Sequence, residues 1–85
     1  MILKSRLSME AHACGASAYV SGPLTASVAA RAILACRALP PRVRALRVDL
    51  RGVSVCDADA LTMLEVLLIE WRTERRGVTR IAYPP

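Results

Sequence analysis

The residues best placed to do chemistry in this chain are two aspartates, Asp57 and Asp59, which follow an apolar run. A long apolar helix pattern begins directly after them, which is typical of a buried strand, a short loop and a helix N-terminus. Such a loop usually presents the functional surface of a small α/β domain. This one offers carboxylates and small side chains, but no nucleophile, no glycine cradle and no metal-ligand cluster. The pattern favours a binding surface over a catalytic centre.

The other candidates for catalysis are weak. His12 is the single histidine and falls in a predicted turn. Asp49 also lies near a strand end, where we interpret it as a structural hydrogen-bond acceptor. We expect no enzymatic activity, no cofactor and no bound metal. Weak nucleotide binding stays open, because the arginines of the chain suit phosphate groups.

The length and composition predict one domain over residues 1–85, with room for one modest core. Hydrophobic residues make up 54% of the chain and Phe is absent, so the core must consist of Leu, Val, Ile and Ala. No apolar run approaches the ~20 residues that span a bilayer, and residues 1–10 do not resemble a secretion signal. We therefore expect a cytoplasmic protein without direct membrane insertion.

Cys14, Cys36 and Cys56 are odd in number and widely spaced, which argues against a disulfide framework and against a zinc site. We interpret all three as small buried apolar residues. The net charge is +5, and eleven of the twelve basic residues are arginine. No aromatic residues are interleaved with the arginine groups and no nucleic-acid motif accompanies them, so we expect no nucleic-acid partner.

The hydrophobic periodicity predicts an α/β fold, a small mixed sheet in the order β-β-α-β-α-β with two helices packed on one face. Gly15 should supply a turn with positive φ between the first two strands. Ser21-Gly22-Pro23 should end the second strand, and Arg51-Gly52 should break the third. The predicted strands cover residues 1–10, 16–20, 43–50 (continued as extended chain over 53–56) and 78–83, and the helices follow N-caps at Thr25 and Asp57, ending near Ala38 and before Gly77.

The apolar stripe of the second helix is wider than one sheet would cover. Met63, Val66 and Leu67 would then face outward, and an exposed apolar patch usually marks an interface. We therefore expect a homodimer through this helix. The alternative is that the first helix covers the stripe.

The order of several short motifs resembles the STAS family (sulphate transporter and anti-sigma factor antagonist). Gly22-Pro23-Leu24 looks like the segment before the first helix, and Val48–Val53 is similar to a "V-D-L-S-G-V" strand. Asp57–Leu61 aligns with a "D-S-S-G-L" or "D-S-T-G-L" loop, and the run from Arg75 to Val78 matches a basic helix end with its glycine. The resemblance runs from about Ser17 to Ala82.

The chain differs from the family at the residue whose phosphorylation would control binding. The resemblance implies a phosphorylated Ser or Thr directly after the loop aspartate, but this position is Ala58, which has no hydroxyl. Asp59 follows with one fixed negative charge, and Ala60 replaces the usual glycine. The family usually carries another helix after the last strand, and we expect this helix to be missing here or to come from elsewhere. We expect a copy that phosphorylation at this site does not switch.

The resemblance implies a non-catalytic regulatory module that binds another protein, either an anti-sigma kinase or a transporter component. The alternatives are an accessory STAS subunit of a membrane transporter and a self-associating scaffold domain. The expected contact residues form a loop and the helix face beyond it, namely Asp57, Ala58, Asp59, Ala60 and Leu61, followed by Met63, Val66 and Leu67.

Overall fold

The computed structural model describes residues 4–85, which form four strands and two helices in the predicted β-β-α-β-α-β order. The elements are β1 (Arg6–Ala11), β2 (Gly15–Leu24), α1 (Ala26–Arg37), β3 (Ala45–Cys56), α2 (Ala58–Arg75) and β4 (Val78–Ala82). The strand predicted over residues 1–10 corresponds to β1, and residues 1–3 lie outside the described part of the chain.

The sheet order follows the chain as β1-β2-β3-β4. β1 and β2 form an antiparallel hairpin, while β2 and β3, and β3 and β4, pair in parallel. α1 and α2 pack against each other and against the same face of the sheet. The predicted mixed sheet with two helices on one face is therefore confirmed.

The core forms because alternate strand residues point toward the helices. Small residues in β2 and α1, among them Ala18 and Ala29, let that helix approach the sheet closely. Larger side chains of β3 and α2, such as Leu50 and Leu64, fill the remaining space. The opposite sheet face carries polar residues and is covered by no helix within residues 4–85.

β2 and β3 are longer than predicted. β2 continues past Ser21 to Leu24 because its register shifts twice and Gly22 takes a φ of 78°. A Cβ at Gly22 would lie 2.6 Å from the carbonyl oxygen of Lys4, so only glycine allows the chain to pass there. Gly52 likewise stays in the ladder, paired with Ser21, and does not break β3. The predicted stops at both glycines are wrong.

Two turn conformations differ from the prediction. α2 ends before Gly77 as predicted, but Arg76 rather than the glycine adopts the left-handed conformation, with φ of 52°. Gly15 does not take the positive φ that we expected, and its carbonyl accepts the N–H of His12 at 2.8 Å.

Neither helix is long and apolar enough to cross a membrane, as far as residues 4–85 show.

Candidate functional site

The carboxyl ends of β2 and β3 bring the N-termini of both helices together. Leu24 pairs with Cys56, and the N–H of Asp57 donates to the Leu24 carbonyl at 3.1 Å. Thr25 Oγ1 accepts the N–H of Val28 at 3.3 Å and so caps α1. We call this end of the molecule the carboxyl edge. It is the side of a parallel sheet where functional loops usually lie.

Asp57 caps α2 as predicted. Its Oδ1 accepts the N–H of Asp59 at 2.8 Å and the N–H of Ala60 at 3.3 Å. This arrangement satisfies donors that the first helical turn leaves unpaired. The carboxylate of Asp59 is exposed and makes no hydrogen bond or ion pair within residues 4–85. Asp59 is therefore available to a partner, while one oxygen of Asp57 is already used.

The structure separates the other expected contact residues by burial. Ala58 is exposed and Leu61 is half-buried, but Ala60 is fully buried in the core. Ala60 therefore packs in the core beneath the loop and is not accessible to a partner.

The expected helix face is only partly outward. Val66 is 45% exposed and Met63 is half-buried, but Leu67 is 3% exposed and belongs to the core. The prediction that Leu67 faces outward is wrong, because α1 packs across that part of the stripe. The alternative of coverage by the first helix holds for Leu67 and not for Val66.

A shallow groove of about 260 Å³ remains between the two helices. Ile33, Met63 and Val66 supply its apolar walls. An ion pair closes one end, where Arg37 donates to Glu70 Oε2 at 2.7 Å. Leu34 and Ile69 are also exposed apolar residues on the helix layer. Leu34 was missed in the sequence, because it falls between the buried positions of α1.

Asp49 lies on the open sheet face, away from the carboxyl edge, and acts as the predicted structural acceptor. Its carboxylate accepts Arg51 N–H at 3.0 Å and the Arg51 guanidinium at 2.8 Å, while Arg47 lies 3.6 Å away. Only 7% of the side chain is exposed, because these two half-exposed arginines lie across it. The hydrogen bonds from Arg51 hold the pKa of Asp49 at about 2, below its ordinary 3.8.

This lowered pKa predicts a measurable loss of stability in acid. The carboxylate contributes fully above the unfolded pKa of about 4, and its contribution is lost as the pH falls toward 2. Allowing for solvent screening, we expect Asp49→Asn to remove about 1 kcal/mol at pH 7 and almost nothing at pH 2. Urea unfolding at both pH values measures this difference. Glu74→Gln is the control, and an equal pH dependence in both variants would refute the assignment.

The cysteines do not share one environment. Cys36 is fully buried as predicted, and desolvation raises the pKa of its thiol to about 11, so it is protonated at neutral pH. Cys14 and Cys56 are exposed, which corrects the prediction that all three are buried.

Residues 4–85 contain no group of three or more His, Cys, Asp or Glu side chains arranged to hold a metal ion.

Comparison with known proteins identifies the fold. No protein-family model and no curated protein matches the chain. Among solved structures, it is similar to an antisigma-factor antagonist STAS domain from Rhodobacter sphaeroides, with 13% identity and a TM-score of 0.70 over 92% of this chain and 85% of that one. It is also similar to an anti-sigma factor antagonist from Mycobacterium paratuberculosis, with 25% identity and a TM-score of 0.69 over 93% and 68%.

A third structure, described as Mglu, has a TM-score of 0.78 and 13% identity. The similarity covers 89% of this chain but only 19% of that one. These likenesses, together with the observed element order, show the fold of the chain. The chain is a STAS-like domain, as the resemblance in its sequence implied.

Proposed function

We propose that the chain is a non-catalytic regulatory module that binds another protein through its carboxyl edge and the adjoining groove. The observation that carries this proposal is the exposed, unpaired carboxylate of Asp59 beside the apolar groove that Met63 and Val66 line. A charge next to an apolar groove can fix both the orientation and the affinity of a partner. The likeness to anti-sigma factor antagonists supports a regulatory role.

Phosphorylation at the usual position does not control this module. Ala58 has no hydroxyl, and the nearest one on α2, that of Thr62, donates to the Ala58 carbonyl at 3.0 Å. The hydroxyl of Thr25 is engaged in capping α1. Asp59 carries a permanent charge about half that of a phosphate. Phosphorylation at position 58 therefore cannot change the binding state of the module. We propose that its partner is an anti-sigma kinase or a transporter component in the cytoplasm.

Self-association is the second candidate. Val66 and Ile69 are 45% and 55% exposed on α2, and Leu34 is 69% exposed on α1. Exposed apolar side chains on adjoining helices are typical of an interface. A homodimer through α2 would cover part of this surface, and it would compete with any partner that uses the groove.

Two charge changes test binding at the carboxyl edge and the adjoining groove. The partner is captured from the native cells, identified and purified, and its affinity is measured by calorimetry. We expect Asp59→Lys and Val66→Glu each to weaken binding by about tenfold or more, because one reverses a contact charge and the other places a charge in the groove. Glu74→Lys, at the far end of α2, is the matched control and should change affinity less than about twofold.

Circular dichroism must show that each variant is folded. Unchanged affinity in both test variants would place the interface elsewhere and refute the proposal. If only a second copy of the chain is captured, and Val66→Glu converts a dimer to a monomer by light scattering, the self-association candidate replaces it.

A further inference from the structure

The open sheet face contains a depression of about 200 Å³ near the amino ends of β3 and β4. Gly15 and Ala45 form part of its floor, and His12, Arg47 and Arg80 stand around it. No acidic residue of the described chain lines this depression. Its position is at the opposite end of the strands from the carboxyl edge, on the side of the sheet that the helices do not cover.

Two arginines lie directly opposite each other at this place. Arg47 pairs in register with Arg80 on the parallel strands β3 and β4, so both side chains are on the open face. Like charges in directly opposed positions destabilise a sheet. Asp49 offsets this only weakly, since it lies 3.6 Å from Arg47 but 2.8 Å from Arg51. Arg80 makes no ion pair within residues 4–85.

The small residues keep the depression open. Gly15, Ala45 and Val78 form one row across β2, β3 and β4, next to the row that contains the two arginines. A Cβ at Gly15 would lie 3.5 Å from His12 Nδ1, which places the imidazole close above the floor. Larger side chains in this row would fill the space. The result is a concave surface that is mainly apolar, with Val78 as part of its lining and with His12, Arg47 and Arg80 around it.

We propose that this depression receives a carboxylate side chain from an acidic segment of a partner protein, held between Arg47 and Arg80. Arginine guanidinium groups bind carboxylates in a bidentate manner, as Arg51 already does with Asp49 in the neighbouring row, where its Nε donates to Oδ1 and its Nη2 to Oδ2. The volume of about 200 Å³ is smaller than that of typical small-molecule sites but suits one side chain. No Phe, Tyr or Trp lines it, so bases of a nucleic acid have only the His12 ring and the two guanidinium groups to stack on.

This acid-binding site is independent of the carboxyl edge. A partner with an acidic segment can use it alone or together with the carboxyl edge. The proposal therefore does not rest on the proposed function, and one variant separates the two. Asp59→Lys should weaken the binding of the partner at the carboxyl edge, but it should change the affinity for the acidic peptide by less than about threefold, through long-range attraction only.

NMR titration of the ¹⁵N-labelled full chain with a decaglutamate peptide at low salt tests the site. We expect the amide shifts to concentrate at Gly15, Ala45, Arg47 and Arg80. The double variant Arg47→Glu/Arg80→Glu should bind the peptide at least about tenfold more weakly. The control Arg6→Glu/Arg31→Glu makes the same charge change toward the other end of the strands and should lose less than about threefold, mainly through long-range attraction.

Dispersed spectra of both double variants must show that they fold. Equal losses in the two, or shifts centred on other residues, would refute the site. A ten-nucleotide single-stranded DNA is titrated in parallel. Tighter binding of this DNA than of the peptide at the same four residues would overturn the assignment to an acidic protein segment.

Discussion

Replacing Gly77 with alanine is expected to lower the free energy of unfolding by about 3 kcal/mol. A Cβ at this position would collide with the Arg44 carbonyl and lie 3.0 Å from Trp71 Nε1. That carbonyl accepts Trp71 Nε1–H at 2.8 Å and the N–H of Val78 at 3.1 Å. The added methyl would therefore separate two donors from their shared acceptor, at the point where α2 passes into β4.

Urea unfolding measures this change, and Gly15→Ala is its matched control. A Cβ at Gly15 meets its nearest atoms at 3.5 Å, an ordinary contact, and Gly15 has no positive φ. The control should therefore stay within about 0.5 kcal/mol of the natural chain. Equal stability of the two alanine variants would contradict the role assigned to the close approach at Gly77.

The second large effect is expected for Arg75→Leu, which should also cost about 3 kcal/mol. The Arg75 guanidinium donates to the carbonyls of Pro40 at 2.8 Å and Leu39 at 2.9 Å, with longer contacts to Val43 and Arg37. It also lies 4.0 Å from the centroid of the Trp71 ring. Leucine would leave several part-buried carbonyls without a donor at the end of α1.

Arg72→Leu is the control for this variant, because Arg72 is exposed and makes no hydrogen bond within residues 4–85. It should change the unfolding free energy by less than about 0.5 kcal/mol. Arg75→Lys should fall between the two, since lysine keeps the charge but cannot reach several carbonyls at once. If Arg75→Leu unfolds at the same urea concentration as Arg72→Leu, the hydrogen bonds from the Arg75 guanidinium have no energetic role.

The elements that the sequence predicts well are those with local causes. Thr25 and Asp57 cap their helices with their own side chains, and the apolar spacing after each cap is regular. The exposed loop at the carboxyl edge was predicted for the same reason. The buried position of Leu67 depends on how α1 crosses α2, which no local pattern contains.

Long-range contacts explain the remaining differences. Gly22 and Gly52 resemble strand breakers in the sequence, but the backbone of Lys4 and Ser5 passes close to Gly22, and Gly52 pairs with Ser21 inside the ladder. Arg75 resembles a solvated residue at the end of α2, where arginine favours the helix dipole. In the structure, its guanidinium instead donates to the carbonyls of Arg37 and Leu39 at the C-terminal end of α1. The arginine pair on the open face appears only when β3 and β4 are in register.

The most direct test of binding at the carboxyl edge is hydrogen–deuterium exchange of the chain alone and in complex with its purified partner. Residues 57–66 should exchange more slowly in the complex, because the loop and the first turns of α2 would then be covered. Slower exchange in this segment and unchanged exchange over residues 41–44 is the result that we predict. Unchanged exchange over residues 57–66 in a saturated complex would contradict it.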